Sequence, residues 1–397
     1  MIKLSDRINR LSESETLAMS RMSRELKAEG HDVITLSVGE PDFFTPGNIK
    51  DAGKKAIDDN YSFYTPVNGY QDLREAICRK LERDNNLKYS PEQIVVSTGA
   101  KQSIANAVLC LANPGDEVIV PAPYWVSYRE IVKMAEATAI YIRAGIENDF
   151  KITPRQLEEA ITDKTSLFIF SSPCNPTGSV YSKEELKALA GVFEKYPGIT
   201  VISDEIYELI NFKGKHESIA QFDSIKERVV LVNGVSKGFA MTGWRLGYMA
   251  AHPDIAKACS KLQGQMTSGA CSIAQRAALE AMLSAPETTG AMLEKFRERR
   301  DLVIRLLKAV PGIETNRPQG AFYLFINVSS YFGKSFEGEK IENATDFCMY
   351  LLKRAHIAMV PGSAFGDDNC VRFSYATSEK LLVEAVERMK KALDRLK

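Results

Sequence analysis

Between about residues 90 and 250 the sequence alternates short apolar runs with amphipathic segments, and this alternation restricts the folds open to the chain. The apolar runs are β-branched with little polar alternation, as expected of strands buried on both faces. The segments between them suit helices, and strand–helix alternation predicts an α/β fold with a mostly parallel sheet. The expected strands are 93–97, 117–120, 166–171, 199–203, 228–232 and 246–251, with helices at 101–111 and 183–194.

The pattern changes near residue 285, where a long charged helix is expected to begin. The residues that fall at helical spacing and predict this helix are Leu293, Phe296, Arg300, Ile304 and Leu307. The charged run 297–300 is expected to form a solvated face of this helix.

Two domains are predicted, because 397 residues exceed what one hydrophobic core usually holds. The large domain, with the mostly parallel sheet, is expected over 46–289. A smaller α+β domain is expected from 290–397 together with 1–45, and the long helix would join the two domains.

Composition and charge exclude several classes of partner. Lys+Arg and Asp+Glu both total 51, so we expect no nucleic-acid partner. None of the seven cysteines lies in a C-x-x-C pair, which favours a reducing cytoplasm over a disulfide framework. The four histidines form no H-E-x-x-H motif, so no metal site is expected. We find no signal peptide and no run of 18 apolar residues, so no membrane span is expected.

Lys237 follows the expected strand 228–232 and begins the strongest local motif, KGFAMTGWR. Taken alone, a lysine here is more often one that extends from a strand end into water. Ser236 precedes it, however, and Arg245 lies eight residues later, where a loop could return to the same pocket. An amine with a guanidinium and a hydroxyl is what a phosphorylated aldehyde requires, as a covalent anchor and as phosphate donors.

Further polar residues lie at other strand ends. Gly99 joins a strand to a helix, so the backbone N–H groups of Ala100 and Lys101 would point at an anion, although many α/β turns share this feature. Asp204 ends another strand, where a capping role is the common alternative. Arg372 lies within the apolar strand VRFSYA and is costly there unless it is paired, so a structural salt bridge remains an alternative.

Over nearly its whole length the chain resembles the class I aminotransferases, which are fold-type I enzymes dependent on pyridoxal 5′-phosphate. It is most similar to the prokaryotic-type aspartate aminotransferases. One departure is Cys174, where asparagine is common, and we expect it to alter packing rather than chemistry. The motifs that carry the resemblance are SVGEPDFFTP (37–46), YTPVNGYQDLR (64–74), STGAKQS (97–103), APYWVSY (122–128), SSPCNPTG (171–178), SDEIYE (203–208), SKGFAMTGWRLGY (236–248) and VRFSYATS (371–378).

The resemblance implies roles for the residues around the cofactor. Lys237 would hold the aldehyde and then move the proton at the substrate Cα. Asp204 would keep the pyridine nitrogen protonated, so that the ring accepts electrons. Tyr207 and Asn175 would contact the phenolic oxygen, and Trp125 would stack on the ring. Gly99, Ala100, Lys101, Ser236 and Arg245 would surround the phosphate. The Asn175–Pro176 peptide bond is often cis in this family.

The resemblance also implies the substrate contacts and a homodimer. Arg372 would clamp the α-carboxylate through its guanidinium fork, with Asn175 and the backbone of Gly39 beside it. Tyr64 would reach the phosphate of a neighbouring subunit, so each site would need two chains.

Substrate choice depends on a cation at the far end of the site. Lys101 is the best candidate for binding the distal carboxylate of aspartate, although it could also be a solvated lysine of the first helical turn. Thr16 matches relatives that accept prephenate. We therefore expect ping-pong transfer from aspartate to 2-oxoglutarate, with amino acids and 2-oxo acids as small-molecule partners.

Other functions stay open or are disfavoured. Prephenate or aromatic amino acids are alternative substrates, and a pyridoxal-phosphate lyase is an alternative reaction on the same fold. A cofactor-binding regulator would need a DNA-binding module before residue 16, where the resemblance begins. A nicotinamide dehydrogenase is disfavoured, because no G-x-G-x-x-G follows an early strand.

Overall fold

The computed structural model describes residues 2–13 and 15–397, with only the backbone of Pro286. The α-helices are α1 (Asp6–Asn9), α2 (Glu15–Ala28), α3 (Gly47–Asp58), α4 (Gln71–Asn85), α5 (Ala100–Leu111), α6 (Ser127–Met134), α7 (Pro154–Ala160), α8 (Lys183–Lys195), α9 (Pro253–Met266), α10 (Ser272–Leu283), α11 (Gly290–Leu307), α12 (Ala344–Ala355) and α13 (Glu379–Leu393).

The β-strands are distributed over one large sheet and smaller units. They are β1 (Ile34–Thr35), β2 (Ile94–Ser97), β3 (Glu117–Ala122), β4 (Thr138–Arg143), β5 (Thr165–Ser171), β6 (Thr200–Asp204), β7 (Val229–Gly234), β8 (Gly247–Ala250), β9 (Tyr323–Asn327), β10 (Ser335–Phe336), β11 (Glu339–Lys340), β12 (Ile357–Ala358), β13 (Val360–Pro361) and β14 (Cys370–Ser374).

The large sheet has seven strands in the order β2-β8-β7-β6-β5-β3-β4. Only β8 runs antiparallel to its neighbours, so the expectation of a mostly parallel sheet is confirmed. All six expected strands are present within a few residues of their predicted bounds. The edge strand β4 was not expected, because its apolar run 139–142 is short and mostly only half-buried, with exposed Thr138 and Arg143 at its ends.

The second unit is an α+β layer built from both ends of the chain. Strands β13, β14 and β9 form an antiparallel sheet in that order. The N-terminal segment joins this unit because β1 pairs parallel with β12, and because Leu36 N donates to Ala358 O at 2.8 Å. Phe296, Phe322 and Phe347 are fully buried in its core.

We propose that the chain has the two domains predicted from the sequence. The core of the small unit would belong to the domain formed by 1–45 and 290–397, and the cores on the large sheet to the domain at 46–289. Hydrogen exchange should then show two cooperative units, and a single unit would contradict the division.

The expectation of a solvated face at 297–300 is wrong for half of the run. Arg299 and Arg300 are both buried on α11. Arg299 Nη1 lies 2.7 Å from Asp42 Oδ1, and its guanidinium lies 5.0 Å from the centre of the Phe43 ring. Sequence spacing alone could not reveal this, because the partners of Arg299 are distant in sequence. Asp42 and Phe43 come from a segment more than 250 residues earlier, and Glu379 Oε1 lies 3.3 Å from Arg299 Nε.

Among the residues that the structure describes, no helix has the length and apolarity needed to cross a membrane.

Candidate active site

A cavity of about 310 Å³ opens at the carboxyl edge of the large sheet, where the small unit packs against it. Parallel α/β sheets bind ligands at this edge, because the strand ends and helix N-termini converge there. All but two of the predicted site residues line the cavity: Thr16, Gly39, Ala100, Lys101, Trp125, Asn175, Asp204, Tyr207, Ser236, Lys237, Arg245 and Arg372. Gly99 directly precedes Ala100, whereas Tyr64 is 99% exposed and lies apart.

Lys237 projects into the cavity from the turn that follows β7. Its Nζ donates to Gly39 O at 2.6 Å and lies 5.9 Å from the centre of the Tyr207 ring. Burial and, to a smaller extent, the charge of Arg372 lower the pKa of Lys237 to about 8. The amine is therefore partly neutral, and nucleophilic, near physiological pH.

Asp204 ends β6 with its carboxylate at the base of the cavity. Its Oδ2 accepts from Tyr128 Oη at 2.7 Å, and its Oδ1 accepts from Ile206 N at 3.2 Å. The second contact is the capping role left open above, but it uses only one oxygen. Burial raises the pKa of Asp204 to about 6, and both hydrogen-bond donors are neutral. A protonated ring nitrogen would be a suitable counter-ion for this carboxylate.

An anion site lies at the N-terminus of α5. Gly99 has φ +86°, and a Cβ there would come 2.6 Å from Arg245 Nη2, so the backbone and the guanidinium approach each other closely. Arg245 Nη1 donates to Thr242 O at 2.8 Å, which orients the guanidinium. Ser236 is buried beside the cavity and adds a hydroxyl. Helix N–H groups, a hydroxyl and a guanidinium together suit a phosphate group.

Arg372 is a buried cation without an acidic partner among the described residues. It lies on β14, 2% exposed, and donates from Nη1 to Asn175 Oδ1 at 3.0 Å and from Nη2 to Ser37 O at 2.7 Å. Its Nε has no hydrogen-bond partner in the described part of the protein. The guanidinium lies 4.6 Å from the Tyr323 ring centre and 4.9 Å from that of Phe365. The structure therefore favours a site for an incoming carboxylate over the structural salt bridge.

The residues at the mouth of the cavity are more exposed. Lys101 Nζ lies 5.0 Å from the centre of the Trp125 ring. Partial burial lowers the pKa of Lys101, and the charge of Arg245 acts in the same direction. Thr16 places a buried Oγ1 at the cavity, with no hydrogen-bond partner among the described residues.

Two tyrosines that the sequence patterns did not single out complete the cavity. Tyr128 is the donor to Asp204, and Tyr323 Oη lies 2.9 Å from Tyr207 Oη. Gly39 is needed opposite Tyr323, because a Cβ at residue 39 would lie 2.9 Å from Tyr323 Oη. Both tyrosines belong to apolar sequences, APYWVSY and GAFYLFI, where the phenolic oxygen is the only hint of a polar role.

The segment that carries Asn175 has a cis Asn175–Pro176 bond, as the resemblance implies. Cys174 Sγ lies 3.8 Å from Pro123 O, and burial raises the pKa of its thiol. A protonated, partly buried thiol agrees with an effect on packing.

These side chains fit pyridoxal 5′-phosphate as a set. Lys237 offers an amine to the aldehyde, Asp204 a carboxylate to the ring nitrogen, and the α5 N-terminus with Ser236 and Arg245 a site for the phosphate. Among the described residues, the Nε of Arg372 has no hydrogen-bond partner, so it can donate to a substrate carboxylate next to the cofactor.

The lowered pKa of Lys237 predicts its reactivity toward acylation in cofactor-free protein. The neutral amine is the reactive form, so modification of Lys237 by acetic anhydride, followed by mass spectrometry, should rise with pH through a midpoint near 8. An exposed lysine, with a pKa near ~10.4, should keep gaining reactivity to higher pH. A midpoint for Lys237 as high as that of the exposed lysines would contradict the desolvated environment.

Comparison with known proteins agrees with this site. The chain matches the family described as aminotransferase class I and II over residues 31–389. It is 47% identical to the bifunctional aspartate aminotransferase and glutamate/aspartate-prephenate aminotransferase of Petunia hybrida, an alignment covering 100% of this chain and 84% of that protein.

Solved structures are similar over the whole chain. The aspartate aminotransferase from Rhizobium meliloti superposes with a TM-score of 0.97 at 41% identity, covering 100% of both chains. The Thermus thermophilus aspartate aminotransferase with maleate gives a TM-score of 0.92 at 38% identity, covering 99% of this chain and 100% of that one. The chain therefore belongs to the class I and II aminotransferases and is a pyridoxal-phosphate-dependent enzyme.

Proposed function

We propose that the protein is an aspartate aminotransferase, which moves the amino group of L-aspartate to 2-oxoglutarate and gives oxaloacetate and L-glutamate. The observation that carries the proposal is that Arg372 and Lys101, two cations without acidic partners among the described residues, line one cavity. A dicarboxylic substrate supplies one carboxylate for each cation. The names of the Petunia and Rhizobium relatives support the same choice.

The proposed roles of the side chains follow from their positions. When bound, pyridoxal 5′-phosphate supplies an aldehyde that condenses with amines and a protonated ring that accepts the electron pair released at the substrate Cα. Asp204 keeps the proton on the ring nitrogen, and Tyr207 donates to the phenolic oxygen. The free amine of Lys237 would take the Cα proton as a general base. Arg372 with Asn175 holds the α-carboxylate so that the Cα–H bond faces Lys237.

A second acceptor, prephenate, is favoured by a specific observation. Thr16 presents to the cavity a buried hydroxyl that has no partner among the described residues, and a polar substrate ring could bind it. The printed name of the Petunia relative includes prephenate activity. Turnover of prephenate with aspartate, lost in Thr16→Val and retained in Thr16→Ser, would support this second function.

We also propose a homodimer in the cytoplasm. Tyr64 and Phe63 are 99% and 83% exposed, and a second copy of the chain would cover them. Tyr64 would then reach the phosphate of the partner's site. The described cysteines are all free thiols, which supports a reducing compartment. Sedimentation should give twice the chain mass, and Tyr64→Phe should weaken retention of the cofactor; a monomer with full activity would contradict the proposal.

Transfer and elimination are distinguished by the need for a second substrate. With aspartate alone, the holoenzyme should release at most one oxaloacetate per site, and continuous turnover should begin only when 2-oxoglutarate is added. Lys237→Ala should abolish turnover, whereas Lys213→Ala, which changes an exposed lysine, should not alter it. Continuous product from aspartate alone would favour the lyase.

Lys101 should determine selectivity for acidic substrates. Lys101→Met should lower kcat/KM for aspartate by about 10–100-fold, the usual worth of a charge-assisted hydrogen bond, and leave kcat/KM for alanine nearly unchanged. Lys164→Met, which changes an exposed lysine away from the cavity, serves as the matched control. An equal loss for aspartate and alanine would remove Lys101 from the distal-carboxylate site.

A further inference from the structure

The segment SDEIYE (203–208) contains two residues that line the cavity and two buried carboxylates that do not. Asp204 and Tyr207 line the cavity. Glu205 and Glu208 follow them directly, are 1% and 6% exposed, and do not line the cavity. Each proposed cofactor contact is therefore adjacent in sequence to a buried carboxylate.

Glu208 is held by α4. Its Oε1 forms a salt bridge with Lys80 Nζ, and its Oε2 accepts from Asn85 Nδ2 at 3.2 Å. Lys80 Nζ also donates to Asn85 Oδ1 at 3.0 Å and lies 3.7 Å from Asp84 Oδ2. Lys80 is 3% exposed, and burial lowers its pKa to about 8, so the ammonium form still predominates at pH 7.

Glu205 is held by the strand that carries Asp204 and by the loop beyond. Its Oε1 accepts from Ser203 Oγ at 2.9 Å and from Ser218 Oγ at 2.6 Å. Its Oε2 lies 2.9 Å from His216 Nε2. Both oxygens therefore have partners, and the buried carboxylate is fixed in one orientation.

Ligand atoms of Glu205, Glu208 and His216 lie within 4.8 Å of one another, a spacing that would also suit a metal ion. The ammonium of Lys80 already supplies a cation to Glu208, however. A buried carboxylate must be paired or neutralised, and here a side chain provides the pairing. The cluster is thus better described as an internal ion pair than as a metal site.

We propose that Lys80 and Glu208 are a positioning pair, which fixes the segment 204–208 from behind so that Asp204 and Tyr207 meet the cofactor. The inference rests on the proposed function, because it takes those two residues as cofactor contacts. Removal of the ammonium leaves the buried charge of Glu208 with only the neutral amide of Asn85 as a partner, so the segment shifts to bring that carboxylate to water. Because Tyr207 is the neighbouring residue, the shift displaces its hydroxyl, and cofactor affinity falls.

A double-mutant cycle on cofactor binding tests the pair. Cofactor-free wild type, Lys80→Met, Glu208→Gln and the double variant are titrated with pyridoxal 5′-phosphate, and binding is followed by visible absorbance. Each single variant should bind about tenfold more weakly, as is usual when a supporting contact of a bound group is lost. The double variant should recover most of the affinity, because neither member of the pair is left buried without the other. Lys88→Met, which removes an exposed lysine 3.7 Å from Glu82, is the matched control and should bind normally.

Thermal unfolding of the same cofactor-free proteins separates positioning from stability alone. A lower Tm with unchanged cofactor affinity in both single variants would overturn the proposal, as would equal losses in the single and double variants. If Lys80→Met does not fold, Asn85→Ala removes the bridging amide without stranding a charge, and it too should weaken binding. Failure of the wild type to bind the cofactor would instead contradict the proposed function.

Discussion

Three ionisable groups share one cavity without forming a salt bridge with any described residue. The ammonium of Lys237 donates to a backbone carbonyl, the carboxylate of Asp204 accepts from a tyrosine and a backbone amide, and the guanidinium of Arg372 donates to an amide and a carbonyl. A buried charge without a counter-ion costs free energy, because it has lost water and gained no opposite charge. Burial therefore lowers the pKa of Lys237 and raises the pKa of Asp204. A cofactor and a substrate that carry the opposite charges offset this free energy when they bind. The site therefore favours binding, and it lowers the stability of the unliganded protein.

The fold makes this separation possible because the three groups belong to different elements. Asp204 ends β6, and Lys237 lies in the turn that follows the neighbouring parallel strand β7, so the sheet places both residues at the same edge. Arg372 comes from the antiparallel sheet of the small unit and approaches from across the cavity. The aromatic rings of Tyr323 and Phe365 hold its guanidinium in place of an acidic residue.

Much of this could be predicted from the sequence, for physical reasons. The central strands are buried on both faces, so their apolar runs are continuous, and strand ends such as Asp204 were recognisable by a polar residue after such a run. The edge strand β4 was not predicted because its apolar run is short and mostly only half-buried, unlike those of the central strands. The burial of Arg299 and the hydroxyl contacts of Tyr128 and Tyr323 depend on partners distant in sequence, which spacing does not encode. Thr16 and Lys101 line the cavity, whereas Tyr64 lies apart from it and its predicted role depends on a second chain.

The central claim is that a single desolvated amine, that of Lys237, forms the covalent bond to the cofactor. The most direct measurement is reduction of the holoenzyme with borohydride, followed by proteolysis and mass spectrometry of the labelled peptides. The account predicts one pyridoxyl group per chain, on Lys237. A label on another lysine, or one distributed over exposed lysines with Lys237 unmodified, would contradict it.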